Sequence, residues 1–176
     1  NSNQHNIVKV LCPTAYKEGW ATYAEHYAAN LYGETDSKDN LIMRYRVKKV
    51  LAQGYLRVLV DMKVNYDGVS ANAIKTWLTD TVKLNEHAYF LNSSAQDPSD
   101  SKKLVYKEST ISDFATNLYI DAIMQPANAA TYYYGHIQVT DLINGLTKKG
   151  YSLYDAHKAF LDAPYTFTQI KEKYSL

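Results

Sequence analysis

The chain has 176 residues, with 19 basic against 18 acidic side chains and a formal net charge of +1 at pH 7. That length is enough for one domain with a substantial core, and the balanced charge argues against a general affinity for nucleic acid or acidic membranes. Seventeen tyrosines against four phenylalanines predict many half-buried rings whose hydroxyl groups reach water or a polar partner.

Cys12 is the only cysteine, so no disulfide can form within the chain. No run of about 18 apolar residues occurs, and the sequence therefore predicts no transmembrane segment. Because the chain begins with Asn-Ser-Asn and carries neither an initiator Met nor a signal peptide, we expect a processed or trimmed chain, and the C-terminal part of a longer protein. The cellular compartment stays open.

The first predicted helix runs from Thr14 to Tyr32, between a proline and a glycine that favour a helix start and a helix stop. At about 100° per residue, Glu18 and Glu25 lie on the same side of this helix. That side is otherwise made of small residues, whereas an apolar aromatic stripe occupies the opposite side: Ala21, Thr22 and Ala29 against Trp20, Tyr23 and Tyr27. A narrow face of small residues predicts that another part of the protein lies against it.

A long second helix is predicted from Asn40 to Val64, with Gly54 inside it as a sign of close packing. Arg57 and Asp61 have the i, i+4 spacing of an ion pair on this helix, and the pair would have a positioning role if it were buried. The basic run 44–49 (R-Y-R-V-K-K) spreads around most of the helix circumference. This favours a solvated face and no nucleic-acid partner.

After a turn at residues 65–68, Ser70 is a good N-cap for a third helix from Ala71 to Leu84. Residues 92–110 have the polar composition of an exposed loop. Four further helices are predicted at Ser112 to Met124, Ala127 to Leu146, Ser152 to Leu161 and Thr166 to Tyr174. The sequence therefore predicts an all-α fold of about seven helices, in a single helical domain that spans residues 1–176.

No complete catalytic motif is present in the sequence. It has no H-E-x-x-H signature, no zinc-ligand spacing among its five histidines, no G-x-S-x-G elbow and no glycine-rich phosphate loop. On spacing alone, Glu18 and Glu25 are more typical of solvated carboxylates than of metal ligands, and we expect no self-contained metal site. The tyrosines at 132–134 favour core packing with tethered hydroxyl groups, and the sharper alternative is that one of them donates to a developing oxyanion.

Several segments nevertheless resemble, in order, the bacterial family called domain of unknown function 885, whose members look like zinc-dependent metallopeptidases with a mostly helical fold. Residues 18–25 (E-G-W-A-T-Y-A-E) resemble the family motif E-G-W-A-L-Y-A-E, and residues 57–61 (R-V-L-V-D) resemble R-L-V-V-D. Residues 68–70 (G-V-S) stand where the family often has G-W-T before a helix. Residues 126–129 (P-A-N-A) and 132–135 (Y-Y-Y-G) resemble P-G-Q-A and Y-x-x-G.

The resemblance extends from about Ala15 to Tyr174, and His157 and the closing helices fit the family's end. Family members carry H-E-x-x-P-G-H a few dozen residues before E-G-W, a motif that would supply two histidine ligands of zinc and the general base. The resemblance implies Glu18 as the third protein ligand of zinc and Tyr132 as a hydrogen-bond donor to the oxyanion. It makes four residues candidates for a position beside the metal ligands or the substrate: Glu25, Arg57, Asp61 and Asn65.

This chain departs from the family pattern at three places. It lacks H-E-x-x-P-G-H, Asn65 stands where T-G-I-H has its histidine, and Leu118 stands where an Arg-Tyr pair has its arginine. We therefore expect the C-terminal part of a zinc metallopeptidase-like hydrolase that is inactive alone. Zinc and a peptide substrate would bind only once the N-terminal portion of the same protein is joined to it. An extracytoplasmic location (secreted, periplasmic or lipoprotein) would agree with the resemblance.

The alternative is a degenerate, non-catalytic relative that acts as a helical binding or structural module. The replacements at Asn65 and Leu118 favour this alternative.

Overall fold

A computed structural model describes residues 14–32, 38–84, 92–97, 99–108, 110–162 and 166–176. Within these residues the chain forms seven helices and one two-stranded hairpin: α1 (Thr14–Tyr32), α2 (Lys38–Asn65), α3 (Ala71–Asp80), β1 (Asn92–Asp97), β2 (Asp100–Glu108), α4 (Ile111–Met124), α5 (Asn128–Lys148), α6 (Leu153–Leu161) and α7 (Phe167–Tyr174). No helix in this part of the chain has the length and apolar character needed to cross a membrane. Cys12, Pro13 and Gly33 lie outside the described residues.

Helices carry the buried core of the described residues, which confirms the predicted all-α class. α1 begins and ends at the predicted residues. Four other helices start at a side-chain oxygen that accepts a hydrogen bond from the backbone amide three residues later: Ser70, Thr110, Ser152 and Thr166. Each bond satisfies an amide that a helix start leaves without an intrahelical partner, so these boundaries follow from local sequence.

α3 is shorter than predicted, because it ends at Asp80 and not at Leu84. Leu84 is 1% exposed and belongs to the same apolar cluster as Ile74 and Leu78. The helix was predicted too long because Leu84 continues the apolar pattern, although it is buried by tertiary packing from a position outside the helix. Between the helix and Leu84, Lys83 has a φ of +54°, a left-handed conformation that an α-helix does not accommodate.

A hairpin occupies most of residues 92–108, so the prediction of a loop over 92–110 is wrong for this segment. β1 and β2 pair in an antiparallel register that places Asn92 opposite Glu108. The sequence at 97–100 (D-P-S-D) favours a tight turn, and residues 104–106 (L-V-Y) have high strand propensity. The loop prediction gave more weight to the polar composition of the whole segment than to these two local preferences.

Contacts divide the chain into two compact units, the first comprising residues 1–51 and 129–176 and the second residues 52–128. The core of the first unit joins α1, α5, α6 and α7 through Tyr16, Tyr23, Val139, Leu142, Ile143, Leu146, Ala156, Phe160 and Ile170. The core of the second unit joins α2, α3 and α4 through Leu56, Val60, Ile74, Leu78, Ala115, Leu118 and Ala122. The single helical domain stays a prediction.

Candidate functional site

Two glycines bring the backbones of α1 and α5 into direct contact. A Cβ atom placed on Gly19 would lie 2.4 Å from the carbonyl carbon of Gly135, and one placed on Gly135 would lie 2.5 Å from the carbonyl oxygen of Ala15. Real Cβ atoms do not approach other atoms so closely, so only glycine fits at either position. A glycine inside a helix costs about 1 kcal/mol relative to alanine, and this close approach gives both glycines a structural reason.

α5 is the part of the protein that lies against the small residues of α1. The contact is centred on Ala15 and Gly19, whereas Ala21 is exposed. The predicted face was therefore rotated by part of a turn. The sequence pattern predicted a face centred on Glu18 and Glu25, whereas the backbones of α1 and α5 meet at Gly19 and Ala15.

Next to this crossing, the first unit contains a cavity of about 110 Å³. Three helices line it: α1 with Thr22, Glu25 and His26, α2 with Val47, Val50 and Leu51, and α5 with Tyr132 and Tyr133. Two residues implied by the family resemblance, Glu25 and Tyr132, thus line the same cavity. Glu18 does not line it.

Glu18 lies one helical turn before the cavity wall and is partly buried. Its backbone carbonyl accepts a hydrogen bond of 2.9 Å from the hydroxyl of Thr22, which does line the cavity. Within the described part of the chain, no hydrogen bond or ion pair engages the Glu18 carboxylate. The carboxylate is therefore neither sealed in the core nor neutralised by a described cation.

The three consecutive tyrosines of α5 have different environments. Tyr132 is 37% exposed, and its ring lies 6.4 Å from that of Tyr133, centroid to centroid. Tyr133 is partly buried and Tyr134 is 55% exposed. Among the described residues, no hydrogen bond engages the hydroxyl of Tyr132, so that hydroxyl is free to meet a ligand in the cavity.

A cluster of histidines and aromatic rings lies along α1 beside the cavity. The His26 ring is 5.4 Å from the ring of His136 on α5, edge to face. The Tyr23 hydroxyl makes a 2.9 Å hydrogen bond with Nε2 of His157 on α6, and the Trp20 ring lies 5.5 Å from the His157 ring. Sequence reasoning missed this cluster, because its histidines are far apart in the chain and follow no ligand spacing.

Burial sets the protonation state of the cluster. It lowers the pKa of His136 to about 4, with a smaller contribution from His26, and it also lowers the pKa values of His26 and His157. Burial raises the pKa of Tyr23 to about 12. At neutral pH the imidazoles are therefore neutral and the phenol is protonated. No group of three or more His, Cys, Asp or Glu side chains among the described residues is arranged to hold a metal ion.

In the second unit, the buried carboxylate of Asp61 joins α2 to the connection between α4 and α5. It accepts a 2.6 Å hydrogen bond from the Asn65 amide and a 2.7 Å hydrogen bond from the Ala127 backbone N–H. The same Asn65 nitrogen donates to the carbonyl of Ala122 at 2.9 Å. Asp61 is 8% exposed, and two amide donors satisfy its oxygens as a buried carboxylate requires.

The predicted ion pair between Arg57 and Asp61 does not form within the described residues. The arginine is exposed, whereas the carboxylate points to the Asn65 and Ala127 donors. Leu118 is 4% exposed in the core of the second unit. Sequence spacing allowed the ion pair, but it could not reveal the tertiary donor at Ala127.

Ala127 adopts a backbone conformation that favours glycine. Its φ is +61°, the left-handed region that costs an L-residue about 1–2 kcal/mol. This conformation directs the Ala127 N–H to Asp61 at 2.7 Å. The positive φ of Ala127 therefore accompanies the hydrogen bond that its N–H donates to Asp61.

Comparison of the chain with protein-family models, with curated proteins and with solved structures found no match.

We predict that Gly135→Ala lowers the free energy of unfolding by about 1–3 kcal/mol, because the new methyl group must displace the α1 backbone. Chemical denaturation measures the change. Gly145→Ala is the matched control on the same helix, since its Cβ would meet only the end of the Leu176 side chain. Equal stabilities of the Gly135 and Gly145 variants would contradict a direct backbone contact.

We predict that stability falls between pH 6.5 and about 4, because the unfolded chain protonates His136 in this range while the folded protein keeps it neutral. The slope contributed by one such group reaches about 1.4 kcal/mol per pH unit. Denaturation curves recorded at several pH values give the free energy of unfolding at each pH. Between pH 6.5 and 5, this free energy should change less steeply with pH in His136→Gln than in the unmodified chain. An unchanged slope would contradict burial of a neutral imidazole.

We predict that Ala127→Gly raises the free energy of unfolding by about 0.5–1 kcal/mol, since glycine adopts positive φ without the steric cost. Ala130→Gly inside α5 is the control and should lower stability by about 1 kcal/mol. Thermal or chemical denaturation compares the two variants. A loss of stability in both would show that the left-handed conformation at Ala127 carries no strain.

Proposed function

We propose that this chain is the C-terminal helical part of a zinc-dependent metallopeptidase-like protein similar to the family called domain of unknown function 885. The contact between Gly19 and Gly135 carries the proposal. One glycine belongs to the segment that resembles E-G-W-A-L-Y-A-E and the other to the segment that resembles Y-x-x-G. A single backbone contact gives both motif glycines a reason, as expected if the two segments evolved as one site.

A second pair of motif segments meets in the second unit. Asp61 ends the segment that resembles R-L-V-V-D, and it accepts a hydrogen bond from Ala127 in the segment that resembles P-G-Q-A. Ala127 occupies the glycine position of that pattern and has a positive φ. A glycine in the pattern is what such a backbone conformation favours. This agreement supports the resemblance independently of the α1–α5 contact.

In the proposed protein, Glu18 would be the protein's third zinc ligand, with two histidines supplied by the N-terminal portion. Its carboxylate is partly buried and unengaged within the described residues, which fits a group that a metal ion would use. One carboxylate cannot hold zinc alone, so the chain by itself would be inactive. Zinc, when bound, lowers the pKa of a coordinated water towards about 7.

Other residues of this chain would act on the substrate. Tyr132 would donate its free hydroxyl to the oxyanion that forms at the peptide carbonyl, and Glu25 would contact the substrate in the cavity next to Tyr132. Asp61 and Asn65 have a different part, since their side chains hold the α4–α5 connection. Arg57 is exposed, and its position beside the substrate stays a prediction.

A non-catalytic helical binding or structural module is the second candidate, and the environments of Asn65 and Leu118 favour it. Asn65 already donates to Asp61 and to the Ala122 carbonyl, and Leu118 is part of the core. Both replacements therefore serve the structure of the second unit. In a protein without catalytic activity, the family's histidine and arginine would not be needed at these two positions, and residues that stabilise the fold could replace them.

We predict that Glu18→Gln in the full-length protein lowers the zinc content from about one ion per chain to a small fraction of that, because an amide is a much weaker zinc ligand than a carboxylate. Metal analysis by mass spectrometry measures the content. Glu172→Gln is the matched control, since Glu172 is exposed on α7.

Unchanged zinc in Glu18→Gln would exclude Glu18 as a ligand. A parent reading frame without H-E-x-x-P-G-H before residue 1 would overturn the peptidase proposal and leave the non-catalytic module.

A further inference from the structure

The cavity between α1, α2 and α5 has two chemically different walls. One wall is apolar and consists of Val47, Val50 and Leu51 from α2. The polar groups come from Thr22, Glu25 and His26 of α1, and α5 contributes the rings of Tyr132 and Tyr133. An apolar wall with a few convergent polar groups is the usual composition of a small-molecule site.

The polar wall offers hydrogen-bond acceptors and a negative charge. Among the described residues, Glu25 is the only acidic one that lines the cavity, and no hydrogen bond or ion pair from these residues engages its carboxylate. Burial, and to a smaller extent the charge of Lys48, lowers the pKa of His26, so its imidazole is neutral at pH 7, with one nitrogen that can accept a hydrogen bond and one that can donate. Lys48 forms no ion pair with Glu25 in the described part of the chain.

The size of the cavity limits what can enter it. At about 110 Å³, it is smaller than a typical small-molecule pocket of about 300–1,000 Å³. It therefore suits the end of an extended group, such as an alkylamine or a lysine side chain, better than a bulky one. The exposure of Val50, at 50%, leaves the cavity open at the α2 side, where a longer ligand would continue into solvent.

We propose that this cavity binds a primary ammonium group carried on a short apolar chain. The ammonium group donates to the Glu25 carboxylate, and the rings of Tyr132 and Tyr133 present their negative faces to the cation. The methylene groups pack against Val47, Val50 and Leu51. In the proposed peptidase the ammonium group would belong to the substrate, and only that assignment rests on the proposed function.

The test uses this chain and three probes of similar size: n-butylammonium, 1-butanol and butyrate. Amide and methyl NMR shifts of the lining residues report binding. n-Butylammonium should bind with a dissociation constant on the order of 1 mM, as expected for so small a ligand, and 1-butanol and butyrate should bind at least about tenfold more weakly. No saturable shift with n-butylammonium, equal binding of 1-butanol, or tighter binding of butyrate would overturn the proposal.

Variants assign the binding to the cavity. Glu25→Gln should weaken n-butylammonium binding about tenfold, equivalent to about 1.4 kcal/mol, whereas the control Glu172→Gln should leave it unchanged. Val50→Trp should block the open side of the cavity with a bulky ring. Unchanged binding in both Glu25→Gln and Val50→Trp would place the ligand elsewhere and overturn the assignment.

Two model compounds separate the sources of the ammonium group. Nα-acetyl-lysine N-methylamide presents a side-chain ammonium, and alanine N-methylamide presents an α-ammonium on a branched carbon. Tighter binding of the lysine compound would support a lysine side chain as the ligand, as the apolar lining from α2 predicts, and tighter binding of the alanine compound would overturn that choice. None of these measurements involves zinc, so a failed zinc experiment and a failed ammonium experiment can be told apart.

Discussion

The direct contact of Gly19 with Gly135 is the constraint on which the rest of the first unit depends. With no side chain on either residue, the backbones of α1 and α5 come into direct contact. That approach sets which α1 residues face α5. Thr22, Glu25 and His26 come beside Tyr132 and Tyr133 because they lie one and two turns beyond the crossing point.

The two sides of α1 have different environments at this crossing. On one side its aromatic residues form a core with α5, α6 and α7, where Tyr16 stacks on Phe160 with ring centroids 4.4 Å apart. On the other side two carboxylates without described partners, Glu18 and Glu25, are held next to the crossing. A rigid core behind an open face is what positions a binding site with little reorganisation.

Local sequence predicted the helices well, because helix starts depend on single side chains such as Ser70 and Thr110 and on apolar periodicity. Tertiary effects account for what was missed. The end of α3 was placed too late because Leu84 is buried from outside the helix. The cavity could be predicted only in part: Glu25 and Tyr132 came from the resemblance, whereas Val47 and its neighbours lie on a helix whose pattern gave no sign of a binding wall. Proximity of His26 to His136 depends on how α1 crosses α5, which no local pattern encodes.

The central proposal is that α1 would present Glu18 to a zinc ion whose other ligands would come from an N-terminal portion of the same protein. A crystal structure of the zinc-loaded full-length protein, with anomalous diffraction at the zinc edge, tests it most directly. The account predicts an anomalous peak about 2.0–2.2 Å from a carboxylate oxygen of Glu18, with two histidine nitrogens completing the protein ligands. A zinc ion bound without Glu18, or a Glu18 carboxylate paired with a cationic side chain of the N-terminal portion, would contradict it.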